Sequence, residues 1–309
     1  MFEYDFKVPE KKKIRLIVHT DCKNEADDQY ALAHHLMTPK FMIKGIVAGH
    51  FEKNPQEYGP GNTVYASRDE IFKVLSLMGI EDEYKDKVFT GATGPIPDED
   101  TPIESEGARC IIEEAMKDDE HPLFAVFLGC LTDLASAILL KPEICERMTA
   151  IWIGGGKYPG GCREFNLFQD INAANVVFRS KMPLWQIPIN VYKQIAVSLT
   201  ELSRRVKPCG EIGKYLFEQM VAFNDKCADI TFWPHGESWG LGDQGTVTVL
   251  LEESERMNYD WVPAPAISQE MMYIHGQNNR PIRVYHTLDA RLTMEDFYAK
   301  LEHNFLKKD

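Results

Sequence analysis

Apolar runs of strand length alternate with amphipathic, helix-like stretches along the first two thirds of the chain. The predicted strands are 15–18, 42–48, 124–128, 150–153 and 184–187. The predicted helices between them are 28–37, 66–78, 107–116, 132–139 and 173–178. This alternation is typical of parallel strands joined by crossover helices, because strands buried on both faces form continuous apolar runs. We therefore predict an α/β fold with an open, mostly parallel central sheet flanked by helices.

The pattern changes after about residue 195. Helices are predicted at 212–223, 246–251 and 294–301, with a late strand at 282–285. The proline-containing stretch 261–265 is predicted to be an extended connector. No long flexible linker, low-complexity tract or internal repeat interrupts the chain. Since α/β enzymes of about this length often form one domain, we predict a single domain over residues 1–309.

Carboxylates are concentrated directly after the first predicted strand, at Asp21, Glu25, Asp27 and Asp28. Open α/β sheets bind ligands at the edge where their parallel strands end. One aspartate would be enough to cap the following helix, whereas several neighbouring carboxylates repel one another unless a cation neutralises them. Ligand sets made only of oxygen suit Ca²⁺ or Mg²⁺. The sequence therefore predicts a hard-cation site.

Charge and cysteine content exclude several other classes of protein. A net charge of −13 is unsuited to binding a phosphate backbone, so no nucleic-acid partner is expected. The seven cysteines are scattered singly, which disfavours a disulfide framework and a zinc site. The first apolar run is too short for a signal peptide or a membrane span, so we expect a cytoplasmic protein with no membrane partner.

Three further segments stand where predicted strands give way to loops. They are LGCLTD at 128–133, the glycine run 154–156 leading to EFN at 164–166, and WGLGD at 239–243. We expect them at the same sheet edge as the aspartate cluster. No GxGxxG motif follows the first strand and no Walker motif is present, so the sequence gives little support to dinucleotide or nucleotide-triphosphate binding.

Together these segments resemble, in the same order, the motifs of the inosine-uridine-preferring nucleoside hydrolase family. The similarity runs from Arg15 to about Leu250, and HTDCKNEADD at 19–28 resembles a form of the family's DxDxxxDD cluster that is two residues longer and has His19 in place of the first aspartate. The resemblance implies calcium-dependent hydrolysis of the N-glycosidic bond of ribonucleosides, with release of free base and ribose. It also implies a role in nucleoside salvage and a homodimer or homotetramer.

Site residues follow from the resemblance position by position. Its implied Ca²⁺ ligands are the carboxylates of Asp21, Asp28 and Asp243 and the backbone carbonyl of Thr132. Asp21 would also be the general base that activates a metal-bound water. The residues expected to bind the substrate are Asp27, Glu164, Asn166, His50, Ile153 and Trp239, with the first three on the ribose hydroxyls. Calcium tolerates a ligand set that combines carboxylate and carbonyl oxygens, as the implied Ca²⁺ ligands do.

The chain departs from the family where the leaving base would be protonated. Gly242 precedes Asp243, whereas many members have a histidine there. His235 is a candidate replacement, and Phe232, Trp233 and Trp239 could form an aromatic wall for the base or simply pack a loop. Two alternatives stay open: a non-catalytic, calcium-dependent ribose or nucleoside sensor, and a Mg²⁺ phosphohydrolase that uses Asp21 as nucleophile.

Overall fold

A computed structural model describes residues 2–231, 233 and 236–307 of the chain. Its central sheet has eight strands in the order β3-β2-β1-β4-β5-β6-β12-β9. These strands are β1 Ile14–Thr20, β2 Phe41–Ala48, β3 Val88–Thr90, β4 Leu123–Phe127, β5 Met148–Ile153, β6 Leu184–Ile187, β9 Asn258–Pro263 and β12 Pro281–Thr287. Two short pairs lie outside it: β7 Ala196–Ser198 with β8 Ser238–Gly240, and β10 Ala266–Ile267 with β11 Tyr273–Ile274.

Helices pack against both faces of this sheet. They are α1 Asp28–Met37, α2 Thr63–Leu77, α3 Glu81–Tyr84, α4 Glu106–Ala115, α5 Thr132–Leu140, α6 Phe165–Gln169, α7 Ile171–Arg179, α8 Ile189–Tyr192, α9 Leu199–Arg205, α10 Gly210–Lys226, α11 Gly245–Leu251 and α12 Ala290–Phe305. Strand β1 shows why both faces must be covered, since all its residues are buried. Leu16 and Val18 contribute to one hydrophobic core and Ile17 to the other, as the period of two along a strand requires.

The position of β1 determines where a ligand can bind. β1 pairs in parallel with β2 on one side and with β4 on the other. Strands β2 and β3 therefore extend the sheet on one side of β1, and the strands from β4 onward extend it on the other side. Such a reversal leaves a crevice beyond the carboxyl ends of the two central strands, where α/β proteins bind ligands. Asp21 directly follows β1, at this crevice.

The predicted fold class is confirmed, and one local prediction is wrong. The proline-containing stretch is not a connector, because Asn258–Pro263 forms strand β9, antiparallel to β12 at the edge of the sheet. An edge strand tolerates proline because its outer backbone groups need no partner. Helix α2 begins at Thr63, three residues earlier than predicted. In the described part of the chain, every helix is too short or too polar to cross a lipid bilayer.

Candidate active site

A cavity of about 870 Å³ opens at the carboxyl edge of the sheet, over the point where the strand order reverses. Successive strands contribute to its wall: Asp21 follows β1, Leu128 follows β4 and Ile153 ends β5. The volume lies within the range of small-molecule sites, and the combination of apolar walls with a few convergent polar groups is typical of them.

Three carboxylates meet in this cavity. Asp27, Asp28 and Asp243 each place one oxygen within 4.8 Å of the others. Asp28 begins α1 and accepts a hydrogen bond from the Thr20 hydroxyl, while Asp27 accepts a long hydrogen bond, 3.4 Å, from the backbone N–H of Asp243. Burial raises the pKa of Asp28 to about 6. Burial and the neighbouring carboxylates raise the pKa of Asp27 and of Asp243 well above the ordinary value.

Asp21 lies beside this cluster with its hydrogen-bonding capacity unused. Its side chain is buried, 1% exposed, and neither carboxylate oxygen has a hydrogen-bond partner among the described residues. Burial, followed by the charge of Asp28, raises the pKa of Asp21 well above its ordinary value. A buried carboxylate without a partner is costly, so these oxygens fit a site completed by a cation, water or substrate. An all-oxygen donor set of this kind fits a hard cation.

Glu164 and Asn166 form the wall beside the glycine-rich loop. Glu164 is the N-cap of α6, and its carboxylate accepts hydrogen bonds from three backbone N–H groups and from the Tyr192 hydroxyl. The amide nitrogen of Asn166 donates to the carbonyls of Leu128, at 2.6 Å, and Ile153, at 2.8 Å. Both donors of Asn166 are therefore committed to backbone, and its amide oxygen is the group that can accept from a sugar hydroxyl.

The aromatic part of the wall differs from the predicted one. Phe223 of α10 and Trp233 line the cavity, whereas Trp239 lies behind them with ring-centroid separations of 5.7 and 5.3 Å. Trp239 is 3% exposed, and its indole N–H donates to Glu25 at 2.9 Å. Burial raises the pKa of Glu25, which lines the cavity, to about 7. Trp239 therefore does not line the cavity, and the structure does not support its predicted contact with the substrate. The predicted proton donor His235 and wall residue Phe232 lie outside the described residues.

Thr132 and His50 lie below the cavity and do not line it. The His50 ring is 2.9 Å from the Thr132 hydroxyl, which donates to Asp170 at 2.7 Å, and the side chains of Thr132 and His50 are fully buried. Thr132 begins helix α5, so its carbonyl enters the helical hydrogen-bond ladder and is not directed at a ligand. Leu128, four residues before Thr132 in the chain, lines the cavity where the resemblance suggested Thr132. The structure does not support the predicted roles of Thr132 and His50.

Sequence reasoning missed Tyr192 and Phe223, both of which line the cavity. Neither belongs to a recognisable motif. Tyr192 ends the short helix that follows β6, so its position after a predicted parallel strand was the one signal that could have indicated it. Phe223 reaches the cavity from α10, distant in sequence from the other site residues.

Comparison with known proteins identifies the family of this chain. The family model described as inosine-uridine preferring nucleoside hydrolase matches residues 16–295. The chain belongs to this family. The family predicted from the aspartate cluster and the three later motifs is therefore confirmed.

Individual relatives of this chain are distant. The chain is 27% identical over 233 residues to the pyrimidine-specific ribonucleoside hydrolase RihB of Escherichia coli (strain SE11), covering 70% of this chain and 72% of that protein. It is 28% identical over 134 residues, or 42% of this chain, to the probable uridine nucleosidase 2 of Arabidopsis thaliana. The aligned part spans only 41% and 58% of the length of the first two curated relatives that it matches.

Solved structures share the fold along almost the whole chain. The protein superposes on a purine-preferring ribonucleoside hydrolase from Gardnerella vaginalis with a TM-score of 0.74 at 18% identity, covering 94% of this chain and 98% of that one. A plant nucleoside hydrolase, the PpNRh1 enzyme, gives a TM-score of 0.71 at 17% identity, covering 93% and 98%. At such identities the likeness establishes the architecture of the sheet and helices.

Proposed function

We propose that this protein is a calcium-dependent ribonucleoside hydrolase that cleaves the N-glycosidic bond and releases free base and ribose. The proposal rests on Asp21, whose two buried carboxylate oxygens lie beside the cluster of Asp27, Asp28 and Asp243 and have no hydrogen-bond partner in the part of the chain that the structure describes. The names of the relatives support the reaction type, since they describe hydrolases of uridine, pyrimidine and purine ribonucleosides.

The cation would be held by carboxylates at the end of β1 and at the start of α1. We assign Asp21, Asp28 and Asp243 as ligands, and the carbonyl of Leu128 replaces that of Thr132 as the candidate backbone ligand. When bound, a divalent cation would lower the pKa of a water molecule and hold the two vicinal hydroxyls of the sugar. Calcium suits this site because it accepts many oxygen ligands in a flexible geometry.

Asp21 would act as the general base that takes a proton from the attacking water. Its two free oxygens leave one available for this purpose when the other binds the cation. Asp27 and the amide oxygen of Asn166 would hold the ribose hydroxyls and keep the anomeric carbon in line with the water. Attack by water on one face of the sugar and departure of the base from the other invert the configuration at that carbon.

The base would lie against the aromatic wall formed by Phe223 and Trp233. Stacking on such rings is favourable and tolerates changes of the heterocycle. No side chain at position 242 can protonate the departing base, because that residue is glycine. His235 or solvent therefore remain the proposed proton sources, and substrates whose bases leave readily should react fastest.

A product assay tests this function and separates it from the sensor alternative. Purified protein is incubated with a panel of purine and pyrimidine ribonucleosides, with Ca²⁺ or with EDTA, and free base and reducing sugar are measured. We expect both products in equal amounts, and only when Ca²⁺ is present. Calcium-dependent binding without either product would support the sensor and contradict the proposed hydrolase. Light scattering on the same sample tests the predicted dimer or tetramer.

A further inference from the structure

The ring of Tyr192 occupies the space that a side chain at position 242 would need. A Cβ atom built on Gly242 would lie 2.7 Å from Cδ2 and 3.3 Å from Cγ of Tyr192. Real Cβ atoms do not approach other atoms this closely, so the tyrosine ring and any larger residue at 242 exclude each other. Gly242 and Tyr192 both line the cavity, and the aromatic ring at 192 can lie there only because residue 242 has no side chain.

The hydroxyl of Tyr192 completes the hydrogen bonds of Glu164. One carboxylate oxygen of Glu164 accepts from Tyr192 at 3.0 Å and from the Asn166 N–H at 3.1 Å. The other accepts from the N–H groups of Gly155, at 2.8 Å, and Leu167, at 2.9 Å. An ionised carboxylate offers about four acceptor positions, and all are filled. A substrate hydroxyl can therefore bind Glu164 directly only by displacing one of these donors.

Among the described residues no group donates a hydrogen bond to the Tyr192 oxygen, whereas the acceptor positions of Glu164 are filled. Burial, followed by the negative charge of Glu164, raises the pKa of the Tyr192 phenol well above its ordinary value, so the hydroxyl remains protonated. Its single proton is donated to Glu164. A phenolic oxygen both donates and accepts, so the lone pairs of Tyr192 are available to a donor in the cavity that this residue lines.

We propose that Tyr192 is a substrate-binding residue whose oxygen accepts a hydrogen bond from the primary hydroxyl of the sugar, with Glu164 as the positioning residue that orients it. This inference rests on the proposed function. A ribofuranosyl group has three hydroxyls, and the two vicinal ones are assigned to the carboxylate cluster and Asn166. The hydroxyl on C5′ is the one left without a partner, and Tyr192 offers the acceptor that it needs.

The experiment compares a ribonucleoside with its 5′-deoxy counterpart in the wild-type protein and in Tyr192→Phe. Phenylalanine keeps the ring over Gly242 and removes only the hydroxyl. Wild-type protein should prefer the 5′-hydroxy substrate by about tenfold or more in kcat/KM, because one hydrogen bond to a buried acceptor is lost with the analogue. Tyr192→Phe should lose most of this preference. A wild-type preference that persists unchanged in Tyr192→Phe, or no preference in either protein, overturns the inference.

A second pair of variants tests the packing of Tyr192 against Gly242. Gly242→Ala should displace the ring and reduce the 5′ preference as Tyr192→Phe does, whereas an unchanged preference contradicts the arrangement. Gly160→Ala is the matched control, because a Cβ at this exposed position, which does not line the cavity, would meet none of the described atoms within 4 Å. It should behave as wild type. Circular dichroism verifies that the variants fold.

Failure of the proposed function can be distinguished from failure of this inference. If wild-type protein releases no base from any nucleoside, the same comparison is made by calorimetry with methyl β-D-ribofuranoside and its 5-deoxy counterpart in the presence of Ca²⁺. Weaker binding of the 5-deoxy ribofuranoside to wild type, with the difference lost in Tyr192→Phe, supports the assignment of Tyr192 even without turnover. Equal binding of the two sugars by the wild-type protein overturns it.

Discussion

Gly129 lies so close to Asp21 that a Cβ atom built on residue 129 would be 2.7 Å from the carboxyl carbon of Asp21. The glycine after β4 thus leaves room for the aspartate after β1, across the point where the strand order reverses. The carboxylate of Asp21 is held in this narrow space without a hydrogen-bond partner among the described residues. The spacing between the two strands therefore fixes the position of the proposed general base.

Gly129→Ala should move the carboxylate of Asp21 and lower turnover. A displacement of about 1 Å at a reacting group costs roughly 10²-fold in rate, so we expect a loss of that order in kcat. Gly160→Ala is the control, because a Cβ at this exposed position meets no atom within 4 Å. The kcat of both variants on one ribonucleoside is the measurement. Equal activity of Gly129→Ala and wild type would show that the position of Asp21 is unimportant.

Stabilisation by calcium should increase with pH. In the metal-free protein, burial raises the pKa of Asp28 to about 6 and of Glu25 to about 7. A carboxyl group with a raised pKa in the folded state stabilises the fold below its unfolded pKa, and this contribution is lost as pH rises through the folded pKa. Calcium should therefore raise the melting temperature more at about pH 8 than at about pH 5, because the ionised cluster then needs the cation most.

Thermal unfolding with Ca²⁺ and with EDTA at both pH values measures this effect. The difference between the melting temperatures with Ca²⁺ and with EDTA at each pH removes the contribution of all groups remote from the site. Asp243→Asn should lose most of the calcium-dependent shift, because it removes one of three converging carboxylates. A shift of the same size at both pH values would argue against a cation bound by this cluster.

A buried pair below the site, His19 and Asp133, should stabilise the fold. His19 Nε2 is 2.9 Å from Asp133 Oδ2, and both side chains are fully buried. Burial acts to raise the pKa of Asp133, but hydrogen bonds from His19, Ser105 and the Ala92 N–H lower it below the ordinary value. Removing one partner of such a pair costs about 3–5 kcal/mol, so we expect His19→Ala to reduce the free energy of unfolding by about 3 kcal/mol.

The pH dependence of this loss has a defined sign. Stability from a carboxyl group with a lowered pKa is present above its unfolded pKa and is lost as pH falls through the folded pKa. The difference between wild type and His19→Ala should therefore shrink in acid. Asp82→Asn, which breaks an exposed ion pair with Lys85, is the control and should leave stability close to that of the wild type, because water screens such a pair. The free energies of unfolding of the wild type and the two variants are measured in urea. Equal losses in His19→Ala and Asp82→Asn would refute the stabilising role of the His19–Asp133 pair.

Much of the architecture could be predicted because it depends on local pattern. The runs at β1, β4, β5 and β6 are apolar and buried on both faces, so their strand character is independent of distant residues. The edge strand β9 was missed because its burial is low and its pairing with β12 is a long-range property. Pattern alone could not show that its proline stands where a sheet edge tolerates it.

The site could be predicted in its acidic part and less well elsewhere. Asp27 and Asp28 lie between β1 and the first turn of α1, whereas Asp243 follows β8 of a separate two-stranded pair, yet their oxygens converge, as the motif order indicated. Whether a polar side chain faces the cavity depends on contacts that spacing does not reveal. Glu164 is a fully engaged helix cap, Thr132 lies within a buried network, and Tyr192 reaches the cavity through the space left by Gly242.

Loss of one sugar hydroxyl should matter more than a change of base. A 2′-deoxynucleoside would leave the group that binds the 2′-hydroxyl, Asp27 or the amide oxygen of Asn166, without a partner, and sites that hydrogen-bond a substrate hydroxyl reject such analogues strongly. We expect kcat/KM for 2′-deoxyuridine to be at least about 10²-fold below that for uridine. Equal values for the two substrates would contradict the assignment of the diol to the carboxylate cluster.

The most direct test of the central claim is the turnover of Asp21→Asn on the best ribonucleoside found, measured together with its binding of ribose in the presence of Ca²⁺. The side chain keeps its shape and loses its basicity, and a positioned general base contributes roughly 10²–10⁴-fold to rate. Release of free base and ribose should therefore fall by at least about 10²-fold while ribose still binds. Near wild-type release of both products by Asp21→Asn would contradict the assignment of Asp21 as the base.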